Sequence, residues 1–393
     1  MKTKLILYTL AISALVGSLS QNIYTPILQQ MQEQLQTSPY LINLSISVFT
    51  IALAIMQIVY GPFIDTKGRR AVLLPSLFLY VIASVGCAFS GSISWFLFFR
   101  VLQGIGVAAI PVVAATVIGD IFEGSQRAQA MSNYQMLLSL ASVIGPLLGG
   151  FIGGQSGFTG IFSFLGVTGL IMFIASLVII PETKPTKGIA RTFQLQAYGK
   201  VLVHPIGRLV LLLGFAQFYL FYSVLVFLPH VLQNIYGLSA QQTGLAFLPL
   251  SLSLMAGSFV SGRLKDKQLG RSEQRLLFTC FLHLIAVVIF TLTANISIGW
   301  LLFSLSLYGF SGGYAMPFQS TLLTELFVAE RATAIGFYNF IRYVGMAVGP
   351  IIGSLLYQDG RFVLTFGVGA IGFAIVILFA RKMIRIREKL FLQ

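Results

Sequence analysis

About a dozen stretches of roughly twenty predominantly apolar residues leave this 393-residue chain few ways to fold. They fall near residues 5–28, 40–62, 71–90, 93–118, 132–154, 158–181, 207–231, 241–262, 275–294, 297–322, 333–356 and 362–380. A helix of that length, rising about 1.5 Å per residue, crosses the ~30 Å hydrocarbon layer of a bilayer. Inside hydrocarbon no water satisfies a backbone N–H or C=O, so each stretch must close its own hydrogen bonds as a helix. Hydrophobic residues make up 56% of the chain and charged ones 9%, with a mean hydropathy of +0.88. That is too little charge to coat a water-soluble protein of this size. The expected class is an all-α membrane protein with twelve transmembrane helices.

Basic residues assign the sides. Lys2 and Lys4 precede span 1, Lys67, Arg69 and Arg70 follow span 2, and Arg127 follows span 4. Lys184, Lys187, Arg191, Lys200 and Arg208 fill the central connection. Arg263, Lys265, Lys267, Arg271 and Arg275 follow span 8, Arg331 follows span 10, and the tail holds Arg381, Lys382, Arg385, Arg387 and Lys389. All of these connections have even parity. The odd ones hold only Arg361, while Arg100 and Arg342 lie within spans. The positive-inside rule therefore predicts a multi-pass protein of the cytoplasmic (inner) membrane with both termini in the cytoplasm. The net charge of +14 requires no nucleic-acid partner; it marks topology and attracts anionic lipid. Lys2, Lys4 and the apolar run to Leu15 also fit a secretory leader. The segment stays apolar past Tyr24, however, and an even count of spans needs it. Cys87 and Cys280 lie inside spans, and His204, His230 and His283 have no Cys, Asp or Glu at ligand spacing. No metal, disulfide or cofactor is expected.

The chain repeats itself. Gly61-Pro62-Phe63-Ile64-Asp65-Thr66-Lys67-Gly68-Arg69-Arg70 follows span 2, and Gly262-Arg263-Leu264-Lys265-Asp266-Lys267-Gln268-Leu269-Gly270-Arg271 follows span 8, its Asp 201 positions later. Gly106, Pro111, Asp120 and Arg127 parallel Gly312, Pro317, Glu325 and Arg331. Tyr134 through Gly145-Pro146-Leu147-Leu148-Gly149 matches Tyr338 through Gly349-Pro350-Ile351-Ile352-Gly353, 204 positions on. The expected organisation is two pseudo-symmetric six-helix bundles, 1–182 and 207–393, joined by a cytoplasmic linker at 183–206. Parallel six-span repeats imply a substrate site near the midplane, reached from one face at a time. A duplicated scaffold without a transport role is the alternative.

Three segments carry a family resemblance. Gly61 through Arg70 resembles the signature loop between spans 2 and 3 of the major facilitator superfamily. Arg100-Val101-Leu102-Gln103-Gly104 resembles the span-4 motif of its proton-driven members. Gly145-Pro146-Leu147-Leu148-Gly149-Gly150 resembles the span-5 motif associated with exporters. Across its whole length the chain is similar to the twelve-span drug–proton antiporters, nearest to the bicyclomycin-resistance branch. The resemblance implies the major facilitator fold, a cytoplasmic latch of Asp65, Arg69, Arg70 and Asp120, and proton coupling through Arg100 and Gln103.

Each motif also has a physical reading. Asp65 ends span 2, where the helix dipole disfavours it, so it should seek a partner such as the start of span 11 near Ala332, or Arg69. Such a contact is worth ~0.3–2 kcal/mol, enough to bias two nearly balanced conformations. Lys67, Arg69 and Arg70 also serve simply as topology determinants. Gly145, Gly149, Gly150, Gly153 and Gly154 give span 5 small-residue faces, and Gly345, Gly349 and Gly353 do so for span 11. Pro146 and Pro350 each remove a backbone hydrogen bond; tight packing and a hinge both fit. Arg100, inside span 4, costs ~2.5 kcal/mol or more unless it meets a polar interior or partner; capping the carbonyls of a neighbouring helix is the bland role. Arg342 shares one stripe of span 11 with Tyr338, Asn339, Gly345 and Gly349. It belongs to no family motif, so substrate contact, a proton path and a structural role stay open.

Gln21-Asn22-Ile23-Tyr24-Thr25-Pro26 resembles the Asp-x-Tyr-x-Pro segment of bicyclomycin-type exporters, with Asn22 where the acid stands. All eleven carboxylates read as loop or span-end residues, so the usual proton carrier is missing from the membrane centre. Asp120, Glu325, Glu33 and His230 are the candidates. Two arginines in the spans and no central acid favour neutral or anionic amphiphiles, such as a metabolite or siderophore-like acid, over lipophilic cations. The resemblance places spans 1, 4, 7 and 10 around the cavity, so Gln21, Asn22, Tyr24, Gln103, Gln217, Tyr219, Tyr222, Tyr314, Gln319, Tyr338, Asn339 and Arg342 are candidate lining residues. Gly145, Pro146, Gly149, Gly349 and Pro350 are candidate hinge and packing positions. The expected function is a proton-coupled, multidrug-type exporter working by alternating access on small molecules, as a monomer. A dedicated exporter of an anionic metabolite or siderophore, and an uptake symporter of the same fold, are the alternatives. No paired acids, zinc-ligand helix or Ser/His constellation suggests an enzyme, and no phosphate-cradling loop suggests a primary pump.

Overall fold

The computed structural model describes residues 2–122, 124–183, 195–263, 269–327, 331–357 and 362–391. Every regular element among them is a helix: α1 (Lys2–Asn22), a 3₁₀ turn (Thr25–Ile27), α2 (Leu28–Gln34), α3 (Pro39–Lys67), α4 (Arg69–Ala88), α5 (Ile93–Ile121), α6 (Gly124–Ile179), α7 (Leu195–Val203), α8 (Pro205–Asn234), α9 (Ala240–Ala246), α10 (Leu248–Arg263), α11 (Leu269–Thr293), α12 (Ile298–Leu326), α13 (Arg331–Leu356) and α14 (Phe362–Phe391). Among the described residues, ten helical stretches are long and apolar enough to cross a membrane. The stretch Ile144–Ile179 turns at Gly157 (φ 62°, ψ −162°), a conformation glycine adopts without strain, and so supplies spans 5 and 6. Span 10 is α12, diluted by Ser304, Ser306, Ser311, Gly309, Gly312 and Gly313. The twelve-span fold expected from the apolar windows is the fold observed.

Local chemistry sets the helix starts. Ser38 Oγ accepts the Leu41 N–H (3.3 Å) with Pro39 in the first turn of α3, and Ser297 Oγ accepts the Trp300 N–H (3.3 Å) ahead of α12. Ser239 and Gln242 form a reciprocal capping box at α9, Gln242 Oε1 accepting the Ser239 N–H at 2.9 Å and Ser239 Oγ the Gln242 N–H at 3.3 Å. The central connection carries α7, which the apolar windows do not reveal. Residues 184–194 of that connection lie outside the described residues.

By contacts the chain divides into two units, residues 1–193 with 237–245, and residues 194–236 with 246–393. In the first, α5 packs on α3 and α4, and α1 packs on α6; in the second, α12 packs on α10 and α11, and α8 packs on α13. The same helix pairings thus recur at corresponding places in the repeat. Leu10, Ala14, Leu73, Leu77, Ile110, Val113 and Val117 form part of the first unit's apolar core.

Candidate functional site

Arg100 is the largest fully buried side chain, at 0% exposure, and no carboxylate neutralises it among the described residues. It is solvated by dipoles instead. Nε donates to the Ser45 carbonyl (3.3 Å), Nη1 to the Ser20 carbonyl (3.1 Å) and to Gln103 Oε1, and Nη2 to Tyr24 Oη (3.1 Å). The Phe49 and Tyr24 rings lie 4.1 and 4.9 Å from its Cζ, with Phe162 at 5.9 Å. The Ser20 carbonyl belongs to the last turn of α1, where backbone acceptors run out of N–H partners. A cation there suits the helix dipole. Arg100 thus places one of its donors on a backbone carbonyl at the end of a neighbouring helix. A shell of small hydroxyls completes the knot, with Gln103 Nε2 donating to Ser84 Oγ (2.8 Å), Ser20 Oγ bonded to Tyr80 Oη (2.8 Å) and Tyr24 Oη to Ser45 Oγ (3.1 Å). Ser20, Ser45, Tyr80, Ser84, Phe49 and Phe162 escaped the sequence reading, because serine and tyrosine in apolar runs carry no motif.

Next to this knot the α1 segment ends. Thr25 Oγ1 donates to the Asn22 carbonyl (2.8 Å) and the turn passes into Pro26. Asn22 Oδ1 is buried without a partner, and a β-carbon on Gly145 would lie 3.1 Å from it. One turn on, a β-carbon on Gly149 would fall on the Ile23 carbonyl oxygen, so only glycine lets α6 come this near α1. Pro146 sits within a helix that continues through it, its carbonyl against Gly244. Gln21 is half-buried at the end of α1.

The latch residues gather in part. Arg69 Nε meets Asp120 Oδ2 at 2.9 Å and Nη2 reaches Oδ1 at 3.4 Å, with the side chains 7% and 21% exposed. Thr183 Oγ1 donates to Asp120 Oδ2 (2.8 Å). Arg70 Nη2 donates instead to the Leu177 carbonyl (2.7 Å). The Asp65 side chain lies outside the described residues. Glu182, read from sequence only as a loop acid, is the residue missed here. Its carboxylate accepts the backbone N–H groups of Arg69 (2.9 Å) and Arg70 (3.1 Å), closing the N-terminus of α4. Gly68 makes this possible: its φ is +108°, and a β-carbon would sit 2.5 Å from Glu182 Oε2.

The second unit holds the other polar group. Tyr338 Oη donates to Gln319 Oε1 (2.7 Å), and Gln319 Nε2 donates to Gln217 Oε1 (3.0 Å). Arg342, one turn beyond Tyr338 on α13, donates from Nη1 to Asn339 Oδ1 (3.1 Å). Its Cζ stacks 3.9 Å over Phe218 and 5.2 Å from the Tyr338 ring. Arg342 Nε and Gln217 Nε2 are both buried without an acceptor. Tyr222 is buried on α8, and a β-carbon on Gly349 would lie 2.5 Å from the Tyr219 carbonyl. Pro350, inside α13, accepts the Ser354 hydroxyl on its carbonyl (2.6 Å). Tyr314 stands apart with Arg275, whose Nε donates to its hydroxyl (3.2 Å).

The proton candidates sort clearly. Glu33, Asp120 and Glu325 are each the penultimate residue of their helices, so none lies at a span's centre. His283 does. It is buried on α11, its Nδ1 bonded to Ser311 Oγ (2.9 Å), its ring facing Tyr308 (4.9 Å) and Phe373 (5.3 Å). His283 Nε2 and Tyr308 Oη are both buried without partners. His230 stacks on Phe227 and Tyr357 near the end of α8.

Comparison with known proteins agrees with this architecture. The chain is 26% identical to the bacillibactin exporter of Bacillus subtilis, over 89% of each chain. It is 28% identical to citrate exporter 1 of Aspergillus niger over 65% of its own length and 56% of that protein's. Its fold matches the crystal structure of a D-xylose–proton symporter with a TM-score of 0.79, at 16% identity, covering 98% of both chains. Twelve spans in two repeated units, motifs after span 2 and within spans 4 and 5, and a match over residues 10–350 lead to one conclusion: this multi-pass membrane protein is a transporter, not an enzyme, and belongs to the Major Facilitator Superfamily.

Proposed function

We propose that the chain is a secondary active exporter that exchanges protons for small amphiphilic molecules, neutral or anionic, by alternating access in the cytoplasmic membrane. One observation carries this reading. The span interiors hold the guanidinium groups of Arg100 and Arg342, while every described carboxylate on a helix stands at a helix end. A lipophilic cation would find no counter-charge there; a neutral or acidic amphiphile finds donors and aromatic faces. The outward direction is supported by the Gly145-Pro146-Leu147-Leu148-Gly149 motif and by relatives named as exporters. In this scheme Asp65, Arg69, Arg70 and Asp120 act as the cytoplasmic latch. Arg100 and Gln103 hold the end of α1 in register with proton movement, and Gly145, Pro146, Gly149, Gly349 and Pro350 carry the packing change. With no central carboxylate described, the proton-exchanging role falls to His283, the mid-span side chain whose Nε2 is buried without a partner, in the state in which water reaches that nitrogen.

The test uses inverted membrane vesicles energised by respiration and a fluorescent reporter of the proton gradient. Adding acidic and neutral amphiphiles should partly collapse the gradient in vesicles bearing the protein and leave control vesicles unaffected. Equal traces from both vesicle types across acidic, neutral and cationic compounds would remove the proposal.

A further inference from the structure

The two intramembrane arginines differ in one respect that points to a ligand. Arg100 uses all three of its nitrogens on protein acceptors. Arg342 uses only Nη1, on Asn339 Oδ1. A guanidinium offers five N–H donors, and a buried donor left without an acceptor is costly. The unused donors lie together along the Nε–Nη2 edge, the edge that grips a carboxylate with two parallel hydrogen bonds. Phe218 covers one flat face at 3.9 Å and fixes the plane of the fork.

A second donor is left open nearby, and the order of the hydrogen-bond chain explains why. Tyr338 donates to Gln319, and Gln319 donates to Gln217. The chain's free end is therefore an N–H group, Gln217 Nε2, on a side chain 1% exposed. Tyr338 joins the two halves of the arrangement, because its ring is 5.2 Å from the Arg342 Cζ. All of these residues belong to the second unit. Two unpaired donor groups, and one positive charge that no carboxylate neutralises among the described residues, call for a partner that brings acceptors and one negative charge.

We propose that the Nε–Nη2 edge of Arg342, together with Gln217 Nε2, is the subsite for the anionic group of the transported molecule, a monocarboxylate on an apolar body. This rests on the export reading above and narrows its substrate class. A cation is rejected at this subsite by the guanidinium, and a neutral amide satisfies the donors without the charge.

Three probes of one shape separate the possibilities: 2-naphthoate, 2-naphthamide and 2-naphthyltrimethylammonium, offered to inverted vesicles carrying the full chain. Vesicles with the unaltered protein should prefer naphthoate over the amide and exclude the ammonium compound. In Arg342→Gln the naphthoate-to-naphthamide ratio should fall by about tenfold or more, the usual weight of a charged hydrogen bond. Arg342→Lys should recover part of it, because it restores the charge without the planar fork. Gln217→Glu, which replaces the open donor by an acid, should lower the ratio even if Arg342→Gln does not reach the membrane. A ratio unchanged in these variants, or no transport of naphthoate by vesicles that move other compounds, overturns the subsite and leaves export standing. Vesicles that move none of the acidic, neutral or cationic compounds overturn the export reading, and this inference with it.

Discussion

Replacing Arg100 by methionine tests how a buried cation without a counter-ion is tolerated. Counting its four hydrogen bonds at the ~1.5–3 kcal/mol of a charged hydrogen bond gives a loss of about 6–12 kcal/mol. The structure argues for much less. Tyr24 Oη keeps Ser45 Oγ at 3.1 Å, Gln103 keeps Ser84 Oγ at 2.8 Å, and the Ser45 carbonyl lies inside α3. The Ser20 carbonyl, in the last turn of α1, and Gln103 Oε1 each lose a donor that nothing nearby replaces. Two orphaned buried acceptors cost about 2–6 kcal/mol together, and losing the contacts to the Phe49 and Tyr24 rings adds about 1 kcal/mol. The desolvation cost of an uncompensated charge, several kcal/mol, disappears at the same time and offsets part of that loss. Arg100→Met should therefore destabilise the protein by about 2–4 kcal/mol, and Arg100→Ala by about 2 kcal/mol more for the cavity. Reversible denaturant unfolding in detergent, followed by circular dichroism, measures both. An Arg100→Met protein as stable as the parent would show that α1 needs no cap. A loss near the full sum would show that no desolvation cost is recovered.

Glu182→Ala strips two N–H groups of α4 of their acceptor and should cost about 0.5–2 kcal/mol in the same unfolding assay; an unchanged midpoint would mean water caps the helix equally well. Gly149→Ala drives a methyl group into the Ile23 carbonyl and should cost about 1–3 kcal/mol with reduced transport; full activity would show that α1 and α6 separate freely. His283→Asn keeps a hydrogen-bonding partner for Ser311 but cannot change charge. With only Tyr308, Ser311 and Phe373 seen facing the ring, it should abolish proton-driven flux while preserving exchange of labelled for unlabelled substrate; retained coupling would acquit His283.

Much of the fold was legible because hydrocarbon imposes one rule, an apolar run long enough to close its own hydrogen bonds. The break between the windows ending at 154 and starting at 158 falls where Gly157 turns α6. The linker helix α7 stayed hidden, since nine residues outside the membrane leave no such run. The site was readable by residue type and less so by partner. Arg100, Gln103 and Tyr24 were marked by motif and meet as one group, but the serines that bind them come from α1, α3 and α4, and pairing between spans leaves no local period. Glu182 shows the same limit: it contacts Arg69 across 113 positions, a separation no local pattern encodes. Arg342 was conspicuous as a charge in an apolar run, yet its open donor edge is a matter of geometry alone. In the sequence His283 shows only that it lacks ligand-spaced partners; its burial at mid-span on α11 is a matter of the structure.

The central claim is that flux of the substrate is tied to flux of protons through one carrier. Purified protein in sealed liposomes, loaded with an amphiphilic acid and given an imposed pH step, measures this directly. Reversing the sign of the step should reverse the net movement of the compound. Net movement indifferent to the sign of the step would contradict the account.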